Sequence, residues 1–158
     1  MAPSKTNAMR ILDSRKIAYK VYSYENNDGK IDGISVAEKI GKDPKVVYKT
    51  LVAQGSSSNL YVFIIPVQEE LDLKKAAKAS GEKKIEMIPS RDIQKFTGYI
   101  RGGCSPIGMK KLYKTFIDMR AEASKEIIVS GGKIGVQIAM NVDDLIKVVE
   151  GKVQDIIK

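Results

Sequence analysis

No histidine occurs anywhere in this chain of 158 residues; there is no tryptophan and only one cysteine. Without imidazole, the most frequent general base near neutral pH is missing, and so is the most frequent metal ligand. A lone thiol, Cys104, closes no disulfide within the chain and makes no zinc site. These absences point to a reducing compartment and to chemistry that calls for no metal and no cofactor. Long apolar runs are missing too. The longest, Leu60 to Val67, contains Pro66 and falls far short of the ~20 residues a membrane-spanning helix needs. The opening MAPSKTNAMR lacks the apolar core of a secretion signal. The expectation is a cytoplasmic protein with no membrane part.

What remains is a globular mixture, 43% hydrophobic and 29% charged, with apolar mass enough for one core. The length suits a single domain over 1–158, since domains commonly run about 100–150 residues. Lys and Arg number 27 against 19 acidic residues, a net charge of +8. Such a surface favours polyanions, nucleic acid before acidic membrane, although lysine-rich surfaces also serve solubility alone.

Local signals divide the chain into short elements. Met9 to Lys16 suits a helix capped near Ser4 or Thr6, and Ala18 to Tyr24 alternates as a half-buried strand does. Ser35 with Glu38 three residues on has the form of a capping box, and Gly41 ends that helix. Val46 to Ala53 and Leu60 to Val67 flank a Gly-Ser-Ser-Ser-Asn loop and predict a hairpin. Asp72 caps LKKAAKAS and Gly81 stops it; Lys84 to Ile88 is a strand, and Ser90 opens a helical turn toward Phe96. Leu112 to Ile117 follows, then Glu126 to Val129 and Ile134 to Ala139 joined across Ser130-Gly131-Gly132. Asn141 caps the final helix, which Gly151 stops. The class is α+β with a curved, mixed or partly antiparallel sheet; a Rossmann-type sheet would need strict β-α alternation.

Three places could carry chemistry. In GYIRGGCSPIGMKK the glycines allow close approach of a ligand to the main chain, and Pro106 removes a competing donor. Backbone N–H groups so placed could face a developing oxyanion, or the segment is simply a tight turn. No GxxxxGK[ST] phosphate loop is present. Lys49 lies in the apolar run VVYKTLVA, where an ammonium is costly unless it reaches a cleft; the alternative is an outward-facing residue of an alternating strand. Ser130-Gly131-Gly132-Lys133 brings a hydroxyl and a cation to what most often only connects strands. Ser105, Ser130 and Cys104 are nucleophile types with no histidine to activate them, though a serine-lysine pairing remains open.

The stretches VYKTLV, LDLKKAAKASG with KKIEM after it, TGYIRGGCSPIGMKK and IIVSGGKIG together resemble the YbaK/EbsC family of aminoacyl-tRNA deacylases, relatives of the editing domain inserted in bacterial prolyl-tRNA synthetases. They run in the family's order from Tyr48 to Gly135, and weaker similarity reaches both termini. The resemblance implies a mixed, barrel-like sheet of six or seven strands with flanking helices and one cleft for the end of the tRNA. It implies hydrolysis in trans of cysteine from proline tRNA, alongside prolyl-tRNA synthetase, by attack of the substrate's own thiol. In the same way it implies Lys49 and Gly102 as the catalytic positions. Tyr24, Thr50, Gly103, Ser105, Pro106, Ser130 and Gly131 would bind the substrate, the GxxxP loop running from Gly102 to Pro106. Some relatives carry aspartate where this chain has Gln137, which leaves that role vacant. The alternatives are editing of alanine or serine, and an RNA-binding module without catalysis.

Overall fold

The computed structural model describes residues 4–158. Helix α1 (Asn7–Ser14) starts at Thr6, whose hydroxyl accepts from the Met9 N–H, and buries Ala8, Met9 and Leu12. Strand β1 (Tyr19–Ser23) leads to α2 (Gly33–Lys39). Here the expected cap is displaced by one turn. Asp32, not Ser35, is the N-cap; its carboxylate accepts both the Ser35 N–H and the Ser35 hydroxyl. A carboxylate one turn earlier satisfies the free amide and meets the helix dipole with full charge, which a serine cannot.

Strands β2 (Tyr48–Gly55) and β3 (Leu60–Pro66) form the predicted hairpin, in antiparallel register from Tyr48↔Pro66 to Gln54↔Leu60. Helix α3 (Leu73–Ser80) has Asp72 at its N-cap and a left-handed Gly81 at its end, as expected. After β4 (Ile85–Met87) and the short α4 (Ile93–Thr97), β5 (Lys114–Asp118) lies parallel to β3. Strands β6 (Glu126–Lys133) and β7 (Val136–Asn141) pair antiparallel. Asn141 caps α5 (Val142–Val149), accepting from the N–H groups of Asp143 and Asp144, and β8 (Lys152–Gln154) closes the chain parallel to β5. Such a cap contributes on the order of 1 kcal/mol.

Among the described residues, eight strands form two sheets, ordered β4-β2-β3-β5-β8 and β1-β7-β6. A parallel bridge between Val47 and Ile128 links them where β2 begins, giving the mixed, barrel-like arrangement of an α+β domain. The strand count exceeds six or seven because β8, three residues long, shows no periodicity that a sequence reading could detect. A second difference concerns Ser130 to Lys133. These residues are not the turn; they belong to β6, with a register shift between Ser130 and Lys133, and the chain reverses at Ile134 and Gly135. Glycines inside a strand mark bulges as readily as turns.

Strand β3 explains the core. Val62 and Ile64 face the inner cluster with Leu12, Ile138 and Leu145, while Tyr61, Phe63 and Ile65 face an outer cluster under α3. A strand covered on both faces reads as an unbroken apolar run, which LYVFIIP is. A third, small cluster of Ala37, Val47, Val67, Ile128 and Ala139 packs α2 against the junction of the sheets. The candidate site opens beside it.

Candidate functional site

Alternation along β2 places Val47, Lys49 and Leu51 on one sheet face and Tyr48, Thr50 and Val52 on the other. Val47 belongs to the small cluster under α2, whereas Leu51 packs on the outer cluster. Lys49 therefore falls between the two on that face. A cleft of about 140 Å³ is lined by Lys49 and Thr50, with Val36, Val67, Gly102 and Ser130 among its walls. A cavity of ~150 Å³ takes a benzene-sized guest, so this volume suits a small acyl group.

Lys49 is half-buried, and no hydrogen bond or ion pair to its ammonium occurs among the described residues. Burial holds its pKa below the ordinary lysine value of 10.5, opposed in part by the charges of Glu70 and Glu69. A cation without a fixed partner, half out of water, is available to an incoming anion or polarised carbonyl. Thr50 faces inward, and its hydroxyl oxygen is buried with no hydrogen-bond partner.

The opposite wall is the long connection from α4 to β5. Its conformation is pinned by side chains: the Tyr99 hydroxyl donates to the Ile107 carbonyl at 2.6 Å, the Asn7 amide donates to the Gly108 carbonyl, and the Ser105 hydroxyl accepts from the Ile107 N–H. Gly102 has φ +85 and borders the cleft beside Ile31. Cys104 borders it too, but burial pushes its thiol up to about 11. At neutral pH that sulfur is protonated and a poor nucleophile.

The third wall is β6 and β7, whose register sets Ser130 opposite Gln137 on the face of Ile128 and Ala139. Both line the cleft. Gln137 was left out of the sequence-derived site because the resemblance leaves its role vacant; strand pairing nonetheless brings it beside Ser130. The remaining expected residues stand behind or apart. Gly103, Ser105 and Gly131 are buried around the cleft without lining it, and Pro106 borders a different depression with Ile11 and Val148. Tyr24 lines a neighbouring depression with Asp28 and Lys39, and its buried hydroxyl has no partner. Among the described residues, no three His, Cys, Asp or Glu side chains gather where a metal ion could be held.

Residues 33–148 match the family model of the aminoacyl-tRNA editing domain. The chain belongs to that family. EbsC of Enterococcus faecalis, a protein named for deacylation of Cys-tRNA(Pro) and Cys-tRNA(Cys), is 44% identical over 152 residues, covering 96% of this chain and 93% of that one. The fold is shared with a crystal structure described as a trans-editing enzyme for prolyl tRNA synthetase, at TM-score 0.87 and 21% identity over 100% of this chain and 99% of that one. It is shared equally with a hypothetical protein, at TM-score 0.87 and 16% identity over 96% and 99%. Within this editing family, the cleft between β2, the α4–β5 connection and the β6–β7 pair is the candidate for the aminoacyl end. No helix among the described residues is long and apolar enough to cross a membrane.

Proposed function

We propose that this chain, acting as one editing domain in the cytoplasm, deacylates tRNA carrying the wrong amino acid, with cysteine on proline tRNA as the substrate. The observation that supports this most directly is the pairing in one small cleft of an unpartnered cation, Lys49, with the main chain at Gly102, and with no protein nucleophile ready to act. An aminoacyl ester is already activated, so positioning and charge stabilisation suffice. The substrate supplies the missing nucleophile. Its thiolate forms a bond to its own carbonyl carbon, the carbon–oxygen bond to the ribose breaks, and the ribose oxygen takes up a proton. Water then opens the released cyclic thioester to free cysteine. Lys49 faces the developing negative charge, Gly102 brings the main chain to the ester, and Thr50 with Ser130 orients the aminoacyl group. Gly103, Ser105 and Gly131 back the walls from behind, Pro106 holds the end of the loop that carries Gly102, and Tyr24 meets the substrate outside the cleft. The resemblance to a trans-editing protein supports prolyl-tRNA synthetase as the partner whose product is corrected.

Single-turnover rates test this. Lys49→Ala should fold normally and lose on the order of 10²-fold in rate. Serine-charged tRNA should bind about as well as cysteine-charged tRNA yet react far more slowly, with alanine slower still, since a hydroxyl is the weaker nucleophile. Equal rates for serine and cysteine would move the reading to a protein-organised water and a broader substrate range; no turnover at all would leave an RNA-binding module. The pH profile gives a second readout. Rate should rise toward the substrate thiol pKa of roughly 8.5 and fall again at a pH below 10.5 as Lys49 loses its proton. Lys49→Arg, always charged, should abolish the falling limb whatever it does to the maximum.

A further inference from the structure

From Ile93 to Ile117 the chain contains no acidic residue and five cations, Lys95, Arg101, Lys110, Lys111 and Lys114. In a protein with 19 acidic residues, a stretch of that length with one sign of charge sets a local field that average composition does not. None of the five has a carboxylate partner among the described ion pairs, which involve Lys5, Lys39, Lys75, Lys84, Arg120 and Lys158 instead. Their charge is unspent.

The fold gathers part of this segment into a groove of about 450 Å³ between the tip of the β2–β3 hairpin and the start of β5, where Lys111, Leu112 and Lys114 meet Phe96, Tyr113 and Asn59. Leu112 is 60% exposed, more than any other large apolar residue described. The Tyr113 hydroxyl donates to the Phe96 carbonyl at 2.7 Å, fixing the two aromatic residues together, and the Lys95 ammonium lies 5.1 Å from the Phe96 ring centre. Of the acids at this end, Glu82 is engaged by the hydroxyls of Tyr61 and Ser57, and Glu86, opposite Gln54 in the strand register, pairs with Lys84. Basic side chains interleaved with aromatic and exposed apolar ones are what a nucleic-acid strand requires: cations for phosphates and flat or apolar surfaces for bases. An acidic protein surface would use the cations but not the aromatic floor.

Position adds a second argument. Gln54, on the groove, is five residues along β2 from Lys49, or ~17 Å at ~3.3 Å per residue. One connection, from Gly98 to Tyr113, borders both places, giving Gly102 and Cys104 to the cleft and Lys111, Leu112 and Tyr113 to the groove. The cleft's volume suits the aminoacyl group, so the body of the tRNA needs a surface outside it. We infer that the groove lined by Lys111, Leu112, Tyr113, Lys114 and Phe96 is a second RNA-binding site, which holds the sugar-phosphate backbone of the tRNA while its aminoacyl end occupies the cleft. This inference rests on the cleft being the ester site.

The test uses uncharged proline tRNA transcript, so that binding is read without turnover. Lys111→Glu/Lys114→Glu is compared with Lys20→Glu/Lys125→Glu, exposed positions on other elements that change the net charge equally. The groove pair should weaken binding at least about tenfold more than the control pair. It should also flatten the dependence of log affinity on log salt by ~1.4–1.8, two phosphate contacts at ~0.7–0.9 each. Lys111→Gln/Lys114→Gln, with a thermal melt alongside, should show the same direction in a folded protein. Leu112→Ala should weaken binding with no change in salt slope. Equal losses for the groove and control pairs, or an unchanged salt slope for the groove pair, overturn the proposal and leave the groove to an acidic protein. Failure of the deacylase reading would look different: no turnover of any charged tRNA, with groove-dependent binding intact.

Discussion

Two glycine-rich segments meet at this site, Gly102-Gly103 in the α4–β5 connection and Ser130-Gly131-Gly132 in β6, and the chain uses them differently. Gly102 has φ +85 and faces movable side-chain ends, those of Ile31 and Ile134. Gly103 faces backbone: a Cβ there would sit 2.8 Å from Ile134 N, Lys133 C and Lys133 Cα. The first segment thus lies main chain to main chain on the end of β6, just past the second segment. Gly131 makes room instead for Val136, whose Cγ1 would lie 2.6 Å from an added Cβ. Of the glycines in these two segments, Gly102 alone borders the cleft. Glycine beside a candidate site therefore has two physical meanings here: access for a ligand, and access for another stretch of the same chain. Sequence alone shows both as the same letter.

Alanine substitutions separate the two meanings. Gly103→Ala should have the larger effect on stability, since the atoms it meets are backbone and cannot rotate away. Overpacking of this kind costs ~1–3 kcal/mol and should lower Tm by roughly 2–12 °C. Its rate loss should track the fraction unfolded. Gly102→Ala should cost less, ~1–2 kcal/mol for a left-handed residue with a Cβ. Its rate loss should exceed its stability loss and persist at low temperature, because the methyl group enters the cleft wall. Gly102→Ala with the wild-type rate would break the comparison and leave the segment a packing device alone.

Much of the fold was legible in the sequence because its signals are local. Asp72 with Gly81 marks both ends of α3 and Asn141 marks the start of α5 through groups that reach only two or three residues, and the hairpin around Gly55 to Asn59 is equally short in range. The left-handed residue that ends α5 is Glu150, not the expected Gly151. The misplaced cap shows the limit: Asp32 and Ser35 are both capping residues, and which one caps depends on where the chain enters α2. The bulge at Ser130 to Lys133 was hidden because a turn and a bulge use the same glycines. Within the site, Lys49 was legible as a cation in an apolar strand. Gln137 was legible only as a position whose role the resemblance left vacant; its place beside Ser130 exists only in strand register. Cys104 was legible as a thiol with no histidine to activate it, but not as part of the cleft wall, which packing of the whole connection creates.

Cys104 gives the smallest expected effect and the sharpest control on the chemistry. It borders the cleft, so geometry alone would permit a covalent thioester with the substrate. Its environment argues the other way. The thiol is buried, the shift to about 11 comes chiefly from desolvation, and no cation is bonded to the sulfur to hold a thiolate. Reactive thiols owe their low pKa to the opposite surroundings, exposed and electropositive. Near pH 7.5 the ionised fraction at Cys104 would be on the order of 10⁻³ or less, against about a tenth for a free thiol. Cys104→Ala should therefore retain most of the deacylation rate, with a modest loss of stability for the methyl-sized gap it leaves in a wall. Iodoacetamide should react slowly with the folded protein at neutral pH, and faster only as the pH approaches that of the shifted thiol. Complete loss of turnover in folded Cys104→Ala, or rapid alkylation at neutral pH matched by rapid inactivation, would replace the substrate's thiol with the protein's own and make this wall the catalytic one.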